Sequence, residues 1–229
     1  MRKKRGMTAE AFAAQLKADP AYQAKLGQDA ETSARVQEAE AVLMKALASR
    51  GYRAASLDEL VRSHAPLSHD LAAALVESLR QVSEPSLLEG IVRALGAARE
   101  TFDARPLAQL FEASDSSTLR WAIANTLAET RPAGLGDWLL RALQERRYGK
   151  AREMLALAAA RTNRPEVVNP ILVRLLGELP GHVALALAES GGVTELDDLR
   201  RAYASATGWE REQIGRTVNM IERREEERQ

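Results

Sequence analysis

The residues able to do chemistry are few and poorly spaced for it. The chain holds three histidines, His64, His69 and His182, and no cysteine. Without thiols, a disulfide, thiolate-bound zinc, an iron–sulfur cluster and a cysteine nucleophile are all excluded. No two histidines lie three or four residues apart and no HExxH spacing surrounds them, so no helix face presents two imidazoles to a metal. Ser68-His69-Asp70 sets the residue types of a hydrolytic triad side by side. Neighbours at a helix start point in different directions, however, and a triad is a spatial arrangement. Gly134-Leu135-Gly136 lacks a third glycine and a preceding strand, and there is no GKS or GKT, which removes phosphate loops. Asp197-Asp198, close behind Thr194 and Glu195, supply the negative charge that a helix N-terminus favours, not a cation site. The expectation is a chain with no catalytic residue, no metal and no cofactor: not an enzyme.

The 229 residues are 45% hydrophobic and 28% charged, a balance that suits one soluble globular or repeat domain. Lys+Arg and Asp+Glu both total 32, so there is none of the basic excess of a dedicated nucleic-acid binder. The opening MRKKRGM has the charge of a secretory n-region, but TAEAFAAQLKADP follows without an apolar h-region, so this basic tail over 1–6 is expected to be retained, whether Met1 or Met7 is the start. The longest apolar runs, such as Met154 to Ala160, fall far short of the ~20 residues that cross a bilayer. A cytoplasmic protein without a membrane partner is expected.

Aromatic content is only 4% and alternating β-branched stretches are missing, whereas apolar residues recur at three and four, as in Leu71, Leu75, Leu79 and Val82 or Leu88, Ile91, Val92 and Leu95. The chain reads as all-α, with N-caps at Ser56, Ser68 and Thr194 and helix ends at Gly51, Gly149, Gly181 and Gly191-Gly192. A shift of 32 aligns Leu75, Leu107, Leu139 and Ile171, and also Leu79, Phe111, Leu143 and Leu175. Second helices follow suit: Ile91, Ile123 and Leu155 align, as do Leu95, Leu127 and Ala159. After a deletion the register continues through Val183 and Leu187, then Leu199 and Tyr203, then Ile214 and Val218, which makes about five helix pairs. Each pair leaves an apolar face that the next must bury, so the array is expected to be a solenoid with atypical ends. Residues 1–66 stand outside the register, with a short helix from Thr8, a long one from Pro20 to Arg50 and another from Leu57. They are expected to cap a repeat array over 67–229, which closes on the charged tail Glu222 to Gln229.

The segment ARPLAQLFEASDSSTLRWAIANTLAE resembles a HEAT repeat, with Pro106 early in the first helix, Asp115 in the turn and Arg120 opening the second. Pro170 lies two periods from Pro106 and Arg152 one period from Arg120, while the intermediate copies place Trp138 and Arg147 at the proline and aspartate positions. The resemblance covers about 67–222, and the short period is similar to bacterial HEAT-like proteins, including the phycobilisome-lyase type. It implies a right-handed α-solenoid whose second helices present a surface to a protein partner, and a ladder role for Asp115 and Arg120. Some alkylpurine DNA glycosylases are also HEAT-like, so nucleic-acid binding or DNA repair is the alternative. A pigment or cofactor chaperone is a third expectation, resting on the phycobilisome-type resemblance alone.

If Leu88, Ile91, Val92 and Leu95 face the core, the helical wheel turns Glu89, Arg93 and Ala97 away from it. Adding 32 gives Trp121, Asn125 and Glu129, then Glu153, Leu157 and Arg161, a candidate binding groove anchored on Trp121. Arg146, Arg147, Lys150 and Arg152 are expected to form a basic rim. The stretch 131–164 carries a net 8 − 3 = +5 and 165–198 a net 1 − 6 = −5, opposed patches suited to orienting a protein partner or pairing two copies.

Overall fold

A computed structural model describes residues 8–62, 66–99 and 101–228. Among these there are thirteen α-helices and two 3₁₀ turns, and the sole β contact is an isolated bridge between Leu67 and Ala98. Three helices come first: α1 (Ala9–Ala18), α2 (Pro20–Ser49) and α3 (Leu57–Arg62). Ten more follow as consecutive pairs: α4 (His69–Ser78) with α5 (Pro85–Leu95), α6 (Arg105–Ala113) with α7 (Ser117–Thr130), α8 (Gly136–Gln144) with α9 (Arg152–Thr162), α10 (Pro165–Leu175) with α11 (Pro180–Ser190), and α12 (Leu196–Ser205) with α13 (Gly208–Glu226). The 3₁₀ turns are Arg146–Ala151 and Val193–Glu195.

Local chemistry explains the starts. Proline opens α2, α5, α10 and α11, where its missing N–H is no loss. Side-chain oxygens cap others: Asp19 accepts from Ala21 N at 2.9 Å, Ser68 from Leu71 N at 3.3 Å and Ser116 from Leu119 N at 3.2 Å. Two expected signals act differently. Thr194 lies inside a 3₁₀ turn, where Glu195 instead accepts from Gly192 N at 2.7 Å. Gly181 begins α11 instead of ending a helix, because Pro180 at its first position starts a new one.

Within each pair the first helix packs on the second, and the second helices also touch in succession, α5 on α7, α7 on α9, α9 on α11 and α11 on α13. Helix α3 packs on α5, α2 on α4 and α5, and α1 on α2. One apolar cluster runs through these contacts, apart from that of α1 on α2, from Leu43 to Ile221. The recurring positions Leu75, Leu107 and Leu139, and Ile91, Ile123 and Leu155, are fully buried. Three register positions depart. Leu172 takes the buried place expected of Ile171, which is half-buried. Tyr203 is exposed at 38%, its ring covered by the Arg211 guanidinium at 4.5 Å. In α13 the buried neighbour is Thr217, not Val218, because the Thr217 hydroxyl donates to the Ala184 carbonyl at 3.0 Å.

Candidate functional site

The second helices of successive pairs are set against one another by hydrogen bonds that run from one to the next. Thr126 Oγ1 donates to Val92 O at 2.8 Å, and Arg161 Nη1 donates to Ala128 O at 3.1 Å. These bonds align α5, α7 and α9 so that residues about 32 apart lie side by side. On that register Glu89, Arg93 and Ala97 of α5 with its following turn are part-exposed or exposed, and Ile91, Val92, Ala94 and Leu95 between them are buried. Trp121, Asn125 and Glu129 on α7, and Glu153, Leu157 and Arg161 on α9, are likewise part-exposed or exposed, and every position between them is buried. Leu185 and Glu189 on α11 and Val218 on α13 extend the rows; the deletion after α9 hid them from a fixed shift of the sequence.

The last-turn row is tied together by charge. Arg161 Nη2 contacts Glu189 Oε1 at 2.6 Å and its Nη1 contacts Glu129 Oε1 at 3.3 Å, one guanidinium bridging α7, α9 and α11. Hydrogen bonding to the Glu189 carboxylate raises the Arg161 pKa above its ordinary value and keeps it charged. In the first-turn row, Arg93 pairs with Glu89 at 2.6 Å within α5, and His182 Nδ1 lies 3.5 Å from Glu153 Oε2. The His182 ring also lies 5.2 Å from that of Trp209, which opens α13 and lies over Gly181.

Of the four residues expected to form a basic rim, Arg146, Arg147 and Lys150 are exposed and Arg152 is not. Arg152 is buried, 7% of its side chain exposed, and its Nη2 donates to Glu178 Oε2 at 2.8 Å. Arg146 donates to Glu178 Oε1 at 2.5 Å. The two guanidiniums hold the Glu178 carboxyl below the usual carboxylate range. Arg147 lies over the Tyr148 ring at 4.8 Å and donates to its hydroxyl at 2.8 Å. Lys150 alone of the four is exposed with no ion pair among the described residues. Part of the opposed charge is satisfied within the chain: Arg146 and Arg152 pair with Glu178, and Arg161 pairs with Glu189.

Asp115 and Arg120 do not form the expected ladder. Asp115 is exposed and no hydrogen bond joins it to another described residue. Arg120 Nε donates to Phe111 O at 3.0 Å within its own pair, and the guanidinium lies 5.0 Å from the Tyr148 ring of the next. Phe111, Tyr148 and Trp138 form an aromatic knot, with Trp138 Nε1 donating to Glu112 at 2.7 Å.

The residues weighed for chemistry are separately engaged. Ser68 Oγ caps α4, and His69 Nδ1 lies 2.8 Å from Thr101 O. His64 lies outside the described residues. Among the described residues no group of three His, Asp or Glu side chains is gathered to hold a metal, and no helix is long and apolar enough to cross a membrane. Comparison with protein-family models, curated proteins and solved structures returned no match.

Proposed function

We propose that the protein is a non-enzymatic interaction scaffold: a right-handed, HEAT-like solenoid of five helix pairs whose second helices bind a protein partner, with α1–α3 as its N-terminal cap. One observation carries the reading. The same three positions of each second helix stay open to solvent on α5, α7 and α9 while every position between them on α7 and α9 is buried. A surface repeated in this way on touching helices is what an extended binding face needs.

Trp121 anchors that face. It is half-buried against the core at the helix start, and its indole N–H meets no acceptor among the described residues, unlike that of Trp138. A tryptophan poised in this way suits an interface hot spot. The test is affinity capture from source-organism lysate with the wild-type chain and a Trp121→Ala variant, with and without nuclease. A stoichiometric protein that survives nuclease and binds the variant more weakly by ~2 kcal/mol or more is expected. Nucleic acid recovered instead, and lost steeply with salt, overturns the reading in favour of the DNA-repair alternative. Particle shape checks the fold: five pairs at roughly 8–10 Å each make a stack about 40–50 Å long. A scattering radius of gyration near the compact-domain value of about 17 Å counts against it.

A further inference from the structure

We propose that the first-turn row of the second helices takes a cationic segment of a partner protein, with a lysine or arginine side chain lying over the Trp121 indole between Glu89 and Glu153. This rests on the scaffold reading above and names the chemistry that its surface recognises.

Register sets the three residues in line. Thr126 reaches back 34 residues to Val92 O, and Arg161 reaches back 33 to Ala128 O and 32 to Glu129. The same offset leads from Trp121 back to Glu89 and forward to Glu153. Touching helices lie roughly 8–10 Å apart, so the indole has a carboxylate within side-chain reach on either side.

Both carboxylates keep a free oxygen. The two Arg93 contacts to Glu89 fall on Oε1, and Oε2 has no hydrogen bond among the described residues. Glu153 faces His182 through Oε2, and its Oε1 has none. A cation seated over an indole within about 6 Å of the ring centroid is attracted by the ring itself. Two carboxylates with unused acceptors add charge-assisted hydrogen bonds.

The wider face has the matching sign. Over α5, α7, α9 and α11 it carries Glu89, Glu129, Glu153 and Glu189 against Arg93 and Arg161, a net 2 − 4 = −2. That field draws in a basic peptide and repels phosphate backbones and anionic lipid surfaces alike. Beside the acidic row, Leu157, Leu185 and Val218 are half-buried in the middle row and offer apolar contact. The fitting occupant therefore carries lysine or arginine along one edge and apolar side chains along the other.

The test is selection from a random-peptide display library on the immobilised full chain at low salt, followed by anisotropy titration of the enriched peptides. Enriched peptides are expected to be net positive. Their affinity is expected to fall at least about tenfold in a Glu89→Gln/Glu153→Gln double variant, whose melting temperature stays near that of the parent, and to weaken with salt. Glu153→Lys is expected to reverse the preference towards acidic peptides. The proposal is overturned by no enrichment, by neutral or acidic enriched peptides, or by cationic peptides that bind the double variant as tightly. Peptides that ignore the glutamate changes yet lose binding on Trp121→Ala leave the scaffold reading intact and remove only its charge assignment. Peptides indifferent to both remove the two together.

Discussion

The hydroxyl of Thr126 donates to the backbone carbonyl of Val92, 2.8 Å away and 34 residues earlier in the chain. The contact closes a need at the end of α5. There Gly96 N turns to Arg93 O, which leaves the Val92 carbonyl short of its usual helical donor. The threonine is 1% exposed, so neither group can turn to water. Thr126→Val keeps the side-chain volume and removes the donor. It is expected to destabilise the fold by about 1–3 kcal/mol, read by chemical denaturation, because a buried carbonyl is left unsatisfied. Thr217→Val, which removes the bond to Ala184 O inside α11, is expected to cost less, about 0.5–1.5 kcal/mol, because that carbonyl keeps its helical donor.

Much of this arrangement was legible in the residues themselves. Leu75, Leu107 and Leu139 recur at one spacing because each fills the same place in successive pairs, and the helical wheel through Leu88, Ile91 and Leu95 put Trp121, Asn125 and Glu129 on the open side of α7. Two kinds of feature escaped. Tyr203 matched the register in type, yet its polar hydroxyl favours the edge of a pair, and Arg211 from the next helix covers its ring there. Arg152 looked like a surface charge because the sequence does not show that Glu178, 26 residues on, comes within 2.8 Å to neutralise it. Periodicity reveals which face is buried; it does not reveal which charges meet once the pairs stack.

Glu178 makes the molecule's acid sensitivity specific. Hydrogen bonds from Arg152 and then Arg146 hold its pKa below the usual carboxylate value, so the folded state binds this proton less readily than the unfolded chain. Its stabilisation is complete above the ordinary carboxylate range and is lost as pH falls through the depressed folded value. Glu178→Gln leaves buried Arg152 without a counter-charge and is expected to lower the melting temperature at neutral pH by more than Glu189→Gln does. The gap between wild type and Glu178→Gln should narrow steadily in melts taken at successively lower pH. A gap that stays constant down to the acid transition would show that the carboxylate charge is not what matters.

Helix α7 ends on Arg131 with φ 49° and ψ 57°, the left-handed conformation that strains any residue with a Cβ. Its N–H still bonds Leu127 O at 3.1 Å, so the conformation serves to close the helix before Pro132. Glycine meets that geometry without strain but gives up more freedom on folding. Arg131→Gly is expected to stabilise the chain by about 0.5–1 kcal/mol, with Arg131→Ala neutral, measured as a shift in denaturation midpoint at unchanged slope.

Gly181 and Trp209 fit only because the glycine has no side chain. A Cβ on Gly181 would lie 2.1 Å from Cζ3 of the indole and 2.8 Å from Cη2, so the ring rests directly on the backbone at the start of α11. Gly181→Ala must push the ring away, and with 48% of Trp209 already exposed the ring has room to swing outward. The substitution is expected to cost about 1–3 kcal/mol, the usual range for adding a methyl where there is no space. It should also separate the indole from His182, whose ring now lies 5.2 Å away. Acrylamide quenching of tryptophan fluorescence should therefore rise in the variant, and a Trp121→Phe/Trp138→Phe background isolates the change from the half-buried indoles on α7 and α8. Gly177→Ala is the matched control: a Cβ there meets nothing within 4 Å, so stability and quenching should both stay unchanged. Equal effects from the two alanines would mean that the contact with Trp209 does not decide the glycine at 181.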